Sequence, residues 1–211
     1  MIGLLVASAP VSATTATFRY EAYLGPIRAG EAVIEVETTM EGYKVRGRAK
    51  SQGLLEAYSN WRARFSVAGI FGKKPEPQRY YLFEKDDRKM REITVQDGML
   101  KYIKNGKMRS LRPALPGVDV LTTLFIDADC KDTVTLHTGR HGYHLRRYDE
   151  FPGLCRYRVT DEDGDEFDAE IRFGQREGFT VPISIEVRGV FGGRMQLIDS
   201  QAPVSPIGEF D

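Results

Sequence analysis

"YKVRGRAK", residues 43–50, sets Tyr43, Val45, Gly47 and Ala49 against Lys44, Arg46, Arg48 and Lys50 in strict alternation. Period two belongs to a β-strand, whose successive side chains point to opposite faces of a sheet. The stretch therefore predicts a strand with an apolar face and a cationic face. "WRARFSV" (61–67) repeats the pattern, with Trp61, Ala63, Phe65 and Val67 opposed to Arg62, Arg64 and Ser66.

The same alternation marks strands over 16–24, 29–39, 78–85, 89–96, 99–104 and 133–138. It continues over 142–150, 155–162, 166–173, 180–190 and 194–200. Hairpin signals separate them at Asp97-Gly98, Asn105-Gly106, Asp163-Gly164 and Gly192-Gly193. "GVDVLTTLFIDA" (117–128) reads as one helix, with Asp119 placed to cap its N-terminus. Many strands joined by short turns form an antiparallel meander, and a long meander protects its edges by curling. The expected fold is all-β: a single domain, curled into a spiral or open half-barrel and plugged or flanked by one helix.

The first 13 residues, "MIGLLVASAPVSA", have the apolar run and small-residue ending of a signal peptide, though without a positively charged start. Spanning a bilayer takes about 20 apolar residues, more than this stretch supplies. The reading is cleavage after Ala13, a β domain over 14–200, a loose tail over 201–211, and a soluble periplasmic protein. No cysteine lies near the cleavage site to carry a lipid.

Thirty basic and thirty acidic residues balance, but unevenly along the chain. Residues 41–112 hold 18 basic and 8 acidic side chains; residues 113–211 hold 10 and 18. The basic stretch suits an anionic lipid or glycan at the membrane periphery. Nucleic acid is set aside, because export removes it and no base-reading motif is present. A hairpin turning at Glu41-Gly42 would pair Met40 with Tyr43, Glu37 with Arg46, Glu35 with Arg48, Ile34 with Ala49 and Thr38 with Val45. Cross-strand pairs of opposite charge would then neutralise half the stripe. Lys44, Lys50, Arg62 and Arg64 would remain to meet an anionic partner.

Both cysteines and all three histidines lie in "CKDTVTLHTGRHGYHLRRYDEFPGLC" (130–155). On a helix, His137, His141 and His144 would share a face and suggest zinc. Here Thr138–Gly142 reads as a turn between strands, which scatters them. In an oxidising compartment, Cys130 and Cys155 are expected to form a disulfide rather than supply a reactive thiol. "DEDGDEFDAE" (161–170) has the alternate aspartates of a calcium loop, but its glycine is misplaced and Arg172 replaces the closing glutamate. No nucleophile elbow, phosphate loop or zinc-protease motif occurs, so neither catalysis nor a cofactor is expected.

"YEAYLGPIRAGEAVIEV" (20–36), "KPEPQRYYL" (74–82), "GVDVLTTLF" (117–125), "TGRHGYHL" (138–145) between the two cysteines, and "TVPISIEVRGVFGGRMQL" (180–197) follow one another along the chain. In this order they resemble the exported bacterial domain-of-unknown-function family 3108. Gly139, Arg140, Tyr143 and Leu145 match that family's turn, while the histidines do not. The resemblance implies a periplasmic protein whose fold is similar to β-spiral envelope-integrity proteins and, more distantly, to half-barrel lipoprotein carriers. The functional expectation is a non-enzymatic binder of a lipid or lipoprotein within the curled sheet; the alternative is an envelope scaffold acting through protein contacts alone.

Overall fold

The structure, a computed structural model, describes residues 13–189 and 192–201. The expected leader, apart from Ala13, and the tail from residue 202 lie outside the described residues. Fifteen strands and two short helices follow in the order β1 (Thr14–Leu24), β2 (Ile27–Thr38), β3 (Gly42–Ser51), α1 (Leu54–Tyr58), β4 (Arg62–Phe71), β5 (Pro75–Lys85) and β6 (Met90–Gln96). Next come β7 (Met99–Lys104), β8 (Lys107–Pro113), β9 (Val118–Asp119), α2 (Val120–Phe125), β10 (Thr133–His137) and β11 (Gly142–Phe151). The chain ends in β12 (Leu154–Asp161), β13 (Glu166–Arg176), β14 (Phe179–Arg188) and β15 (Gly193–Gln201).

All strands join one sheet, in the order β8-β7-β6-β5-β4-β3-β2-β1-β15-β14-β13-β12-β11-β10-β9. Each neighbouring pair is antiparallel except β9–β10. The edge strands β8 and β9 follow each other in sequence yet are not bonded to one another, so the sheet is not closed into a barrel. The β10 end instead packs on β5. The Tyr80 hydroxyl donates to the Thr138 carbonyl at 2.9 Å, and its ring meets His137 edge-on at 5.9 Å. Gly139 makes that approach possible, since a Cβ there would lie 2.7 Å from the Tyr80 ring. The sheet therefore curls onto itself without a closing ladder.

The inside of the curl is the core. Alternate residues of the strands, among them Phe18, Tyr20, Val36, Val45, Val67, Tyr157 and Val181, are fully buried there. Helix α2 plugs it, burying Leu121, Thr122, Leu124 and Phe125 between β14 and the β3–β4 pair. Asp119 caps the plug: its Oδ1 accepts from Leu121 N and Thr122 N at 3.0 and 2.9 Å, and its Oδ2 from the Thr122 hydroxyl at 2.7 Å. The Thr122 and Tyr43 hydroxyls lie 3.1 Å apart, tying α2 to β3.

Several expectations are corrected. The predicted helix over 117–128 contracts to 120–125, and a second helical turn, α1, adds to it. Strands β8 and β9 complete a sheet of fifteen. The β2–β3 hairpin is shifted by two residues: Thr38 faces Tyr43, Glu37 faces Lys44, Glu35 faces Arg46 and Val33 faces Arg48. The cause is local. The Thr39 hydroxyl accepts from Glu41 N and Gly42 N at 3.3 and 3.2 Å, and stabilises a longer loop than a two-residue turn. A shift of two keeps the faces, so Val36 meets Val45 and Ala32 meets Ala49 in the core.

Candidate groove on the outer face

Beginning at β1, five adjacent strands bring their solvent-side residues into register. One cross-strand row reads Arg19, Val33, Arg48, Arg64, Phe83. The next reads Glu31, Lys50, Arg62, Lys85. These rows line a groove of about 730 Å³, bordered by Glu56 of α1 and Ile198 of β15. Six cations (Arg19, Arg48, Lys50, Arg62, Arg64 and Lys85) face two carboxylates, Glu31 and Glu56.

One of those carboxylates is occupied. Glu31 receives Lys50 Nζ at 3.0 Å, and that hydrogen bond holds its carboxyl below the usual glutamate range. Arg64 lays its guanidinium 5.1 Å from the centre of the Phe83 ring, and Arg62 Nε donates to Asn60 Oδ1 at 3.2 Å. Among the described residues, none of Arg19, Arg62, Arg64 and Lys85 is ion-paired with a carboxylate. Val33, Phe83 and Ile198 supply apolar surface beside these charges. Guanidinium forks over an apolar strip suit an amphiphile whose head carries phosphate or carboxylate oxygens.

Of the four residues that the sequence singled out, three line the groove. Lys50 is there but paired with Glu31, correcting the expectation that it stands free. Arg62 and Arg64 are there without carboxylates. Lys44 lies elsewhere on β3, opposite Glu37, beside a shallower depression of about 300 Å³. Arg46, assigned to Glu37, instead donates from Nε to Glu35 Oε1 at 2.6 Å, and that carboxylate is almost wholly buried. Arg19 and Lys85 were missed, since only the register of five strands places them beside Lys50 and Arg64. The concavity expected inside the curl is filled by the core.

The cysteines and histidines do not form a common site. Cys130, after α2, is disulfide-bonded to Cys155 on β12, with Cα atoms 5.5 Å apart. Cys130 also offers its carbonyl to Arg147 Nη1 at 2.7 Å. His137 is buried in the core, where its Nδ1 accepts from Gly139 N at 3.1 Å and desolvation lowers its pKa. His141 meets Glu162 at 2.8 Å on the surface, and His144 lies 3.3 Å from the Thr135 hydroxyl. Asp161 uses Oδ1 to accept from Asp163 N and Asp165 N, at 3.0 and 2.9 Å, so the acidic stretch is a hairpin tip holding its own backbone.

No helix among the described residues is long and apolar enough to cross a membrane. A comparison with curated proteins finds no match. Among solved structures, the chain is similar to a beta-barrel-like protein of domain of unknown function DUF1849 from Brucella abortus. That likeness has 12% identity and a TM-score of 0.47, and covers 92% of this chain and 100% of the other. The model of the family "Protein of unknown function (DUF3108)" matches residues 19–145, a span that holds β2 to α2 entire and five of the six groove cations from Arg48 to Lys85, with Arg19 at its first position. The chain belongs to the DUF3108 family.

Proposed function

We propose that this protein is a non-enzymatic component of the bacterial cell envelope that holds an anionic, lipid-like ligand in the outer groove. The observation that carries the reading is the groove's volume of about 730 Å³ combined with six cations against two carboxylates. Pockets that take small amphiphiles run to roughly 300–1,000 Å³ and combine apolar lining with a few directed polar groups. Export and a periplasmic location belong to the same proposal, supported by the disulfide, which persists in oxidising compartments.

A second reading has its own support. The core fills the curl, so nothing favours carriage of an acyl chain inside it, and a scaffold working through protein contacts needs only a stable surface. Native mass spectrometry of protein purified from its own cell envelope separates the two. A bound anionic lipid, lost on replacing Arg19, Arg62 and Arg64 by glutamine, supports the groove; bare protein in both preparations supports the scaffold.

A further inference from the structure

Strand β8 ends the sheet and, among the described residues, is bonded to β7 alone. Six of its seven residues are exposed, so burial contributes little to holding it in place. The hairpin of β7 and β8, residues 99–113, carries Lys101, Lys104, Lys107, Arg109 and Arg112 and no acidic residue. Among the described residues none of these five cations has a carboxylate within ion-pairing distance. On the same strand Met108 and Leu111 each keep 61% of their surface exposed.

From this edge we infer that β8 receives an extended, acidic segment of a partner protein, added as a further strand. Three features converge on that class of partner. Among the described residues no strand bonds the backbone groups of β8 that turn away from β7, which leaves them to receive a new strand, as in other proteins that bind peptides by strand addition. Met108 and Leu111 offer apolar contacts to side chains alternating along it. Five unopposed cations select for acidic residues between those contacts. Lysine or proline on an edge can also serve only to repel other strands. Two large apolar side chains left bare on the strand run against that use.

The probe is a fluorescent peptide of alternating valine and glutamate, with a valine–lysine peptide as control. The expected result is salt-sensitive binding of the glutamate peptide alone, with hydrogen exchange slowed at the outward amides of β8. In the triple variant Lys107→Glu, Arg109→Glu and Arg112→Glu, preference should reverse by roughly tenfold or more toward the lysine peptide. That gain of binding shows the variant to be folded. Equal binding of both peptides, no binding, or unprotected β8 amides would overturn the inference. So would binding abolished by the groove variant of Arg19, Arg62 and Arg64. The inference also fails if these cations instead bind vesicles of phosphatidylglycerol and the peptide does not compete.

Discussion

Replacing Asp119 by alanine removes the cap of the helix that plugs the core. The carboxylate is fully buried and accepts three hydrogen bonds, from Leu121 N, Thr122 N and the Thr122 hydroxyl. Loss of a helix cap typically costs about 1 kcal/mol. A buried donor left with no partner adds about 1–3 kcal/mol. Part of that cost is offset, because burial raises the Asp119 pKa and its removal ends an unfavourable desolvation. A net loss of about 2–4 kcal/mol is expected, which for a domain this long is a fall in Tm of roughly 5–15 °C. Asp119→Asn keeps an oxygen for the two amides, and the Thr122 hydroxyl can turn to accept from the new amide group. That variant should lose less than about 1 kcal/mol. Urea titration of the three proteins measures both differences. An alanine variant within about 0.5 kcal/mol of the parent, or an asparagine variant as weak as alanine, would refute the capping account.

Three further outcomes follow. Cys130→Ser should cost about 3 kcal/mol by the chain-entropy account of a 25-residue loop, and the parent protein, denatured without reductant, should show no free thiol. Burial holds His137 below the ordinary histidine value of about 6.5, with Asp119 pulling weakly the other way. At this side chain the folded protein binds fewer protons than the unfolded one, so its contribution to stability falls as pH drops below about 6.5 until the folded pKa is passed, while the raised pKa of Asp119 acts with the opposite sign. His137→Gln should flatten that acid slope between about pH 7 and pH 5, and an unchanged slope would show that another group titrates there. The Tyr20 hydroxyl is buried with no hydrogen-bond partner among the described residues, so Tyr20→Phe should leave stability unchanged or raise it by up to about 1 kcal/mol in calorimetry; a clear loss would mean that the hydroxyl is satisfied.

Alternation made the sheet legible because most strands bury one face only, as in "YKVRGRAK". Turn chemistry was legible for the same kind of reason: Asp97, Gly98, Asn105 and Gly106 all take positive φ, as tight hairpins demand. "KMRSLRP" escaped because β8 is exposed on both faces and held by pairing alone, so it has no pattern to read. Helix α1 escaped for a related reason, since it buries none of its residues. The slip in the β2–β3 register came from Thr39, whose side-chain hydrogen bonds lengthen the loop and leave no mark on strand periodicity. That slip moved Arg46 from Glu37 to Glu35 and placed Lys50 on Glu31. The groove was legible only in part, as Lys50, Arg62 and Arg64. Arg19 and Lys85 join them from strands on either side, and their positions depend on every register between.

Vesicle flotation shows whether the outer groove binds an anionic head group. The parent protein and the Arg19→Gln, Arg62→Gln, Arg64→Gln variant would be floated with phosphatidylglycerol vesicles and with phosphatidylcholine vesicles, at low and at moderate salt. The three side chains are solvent-facing and, among the described residues, not ion-paired with carboxylates, so the variant should match the parent in stability. The parent should float only with the anionic vesicles, less so once added salt shortens the reach of exposed charge to about 8 Å, and the variant should stay behind. Equal flotation of the two proteins, or none of either, would contradict binding in the groove.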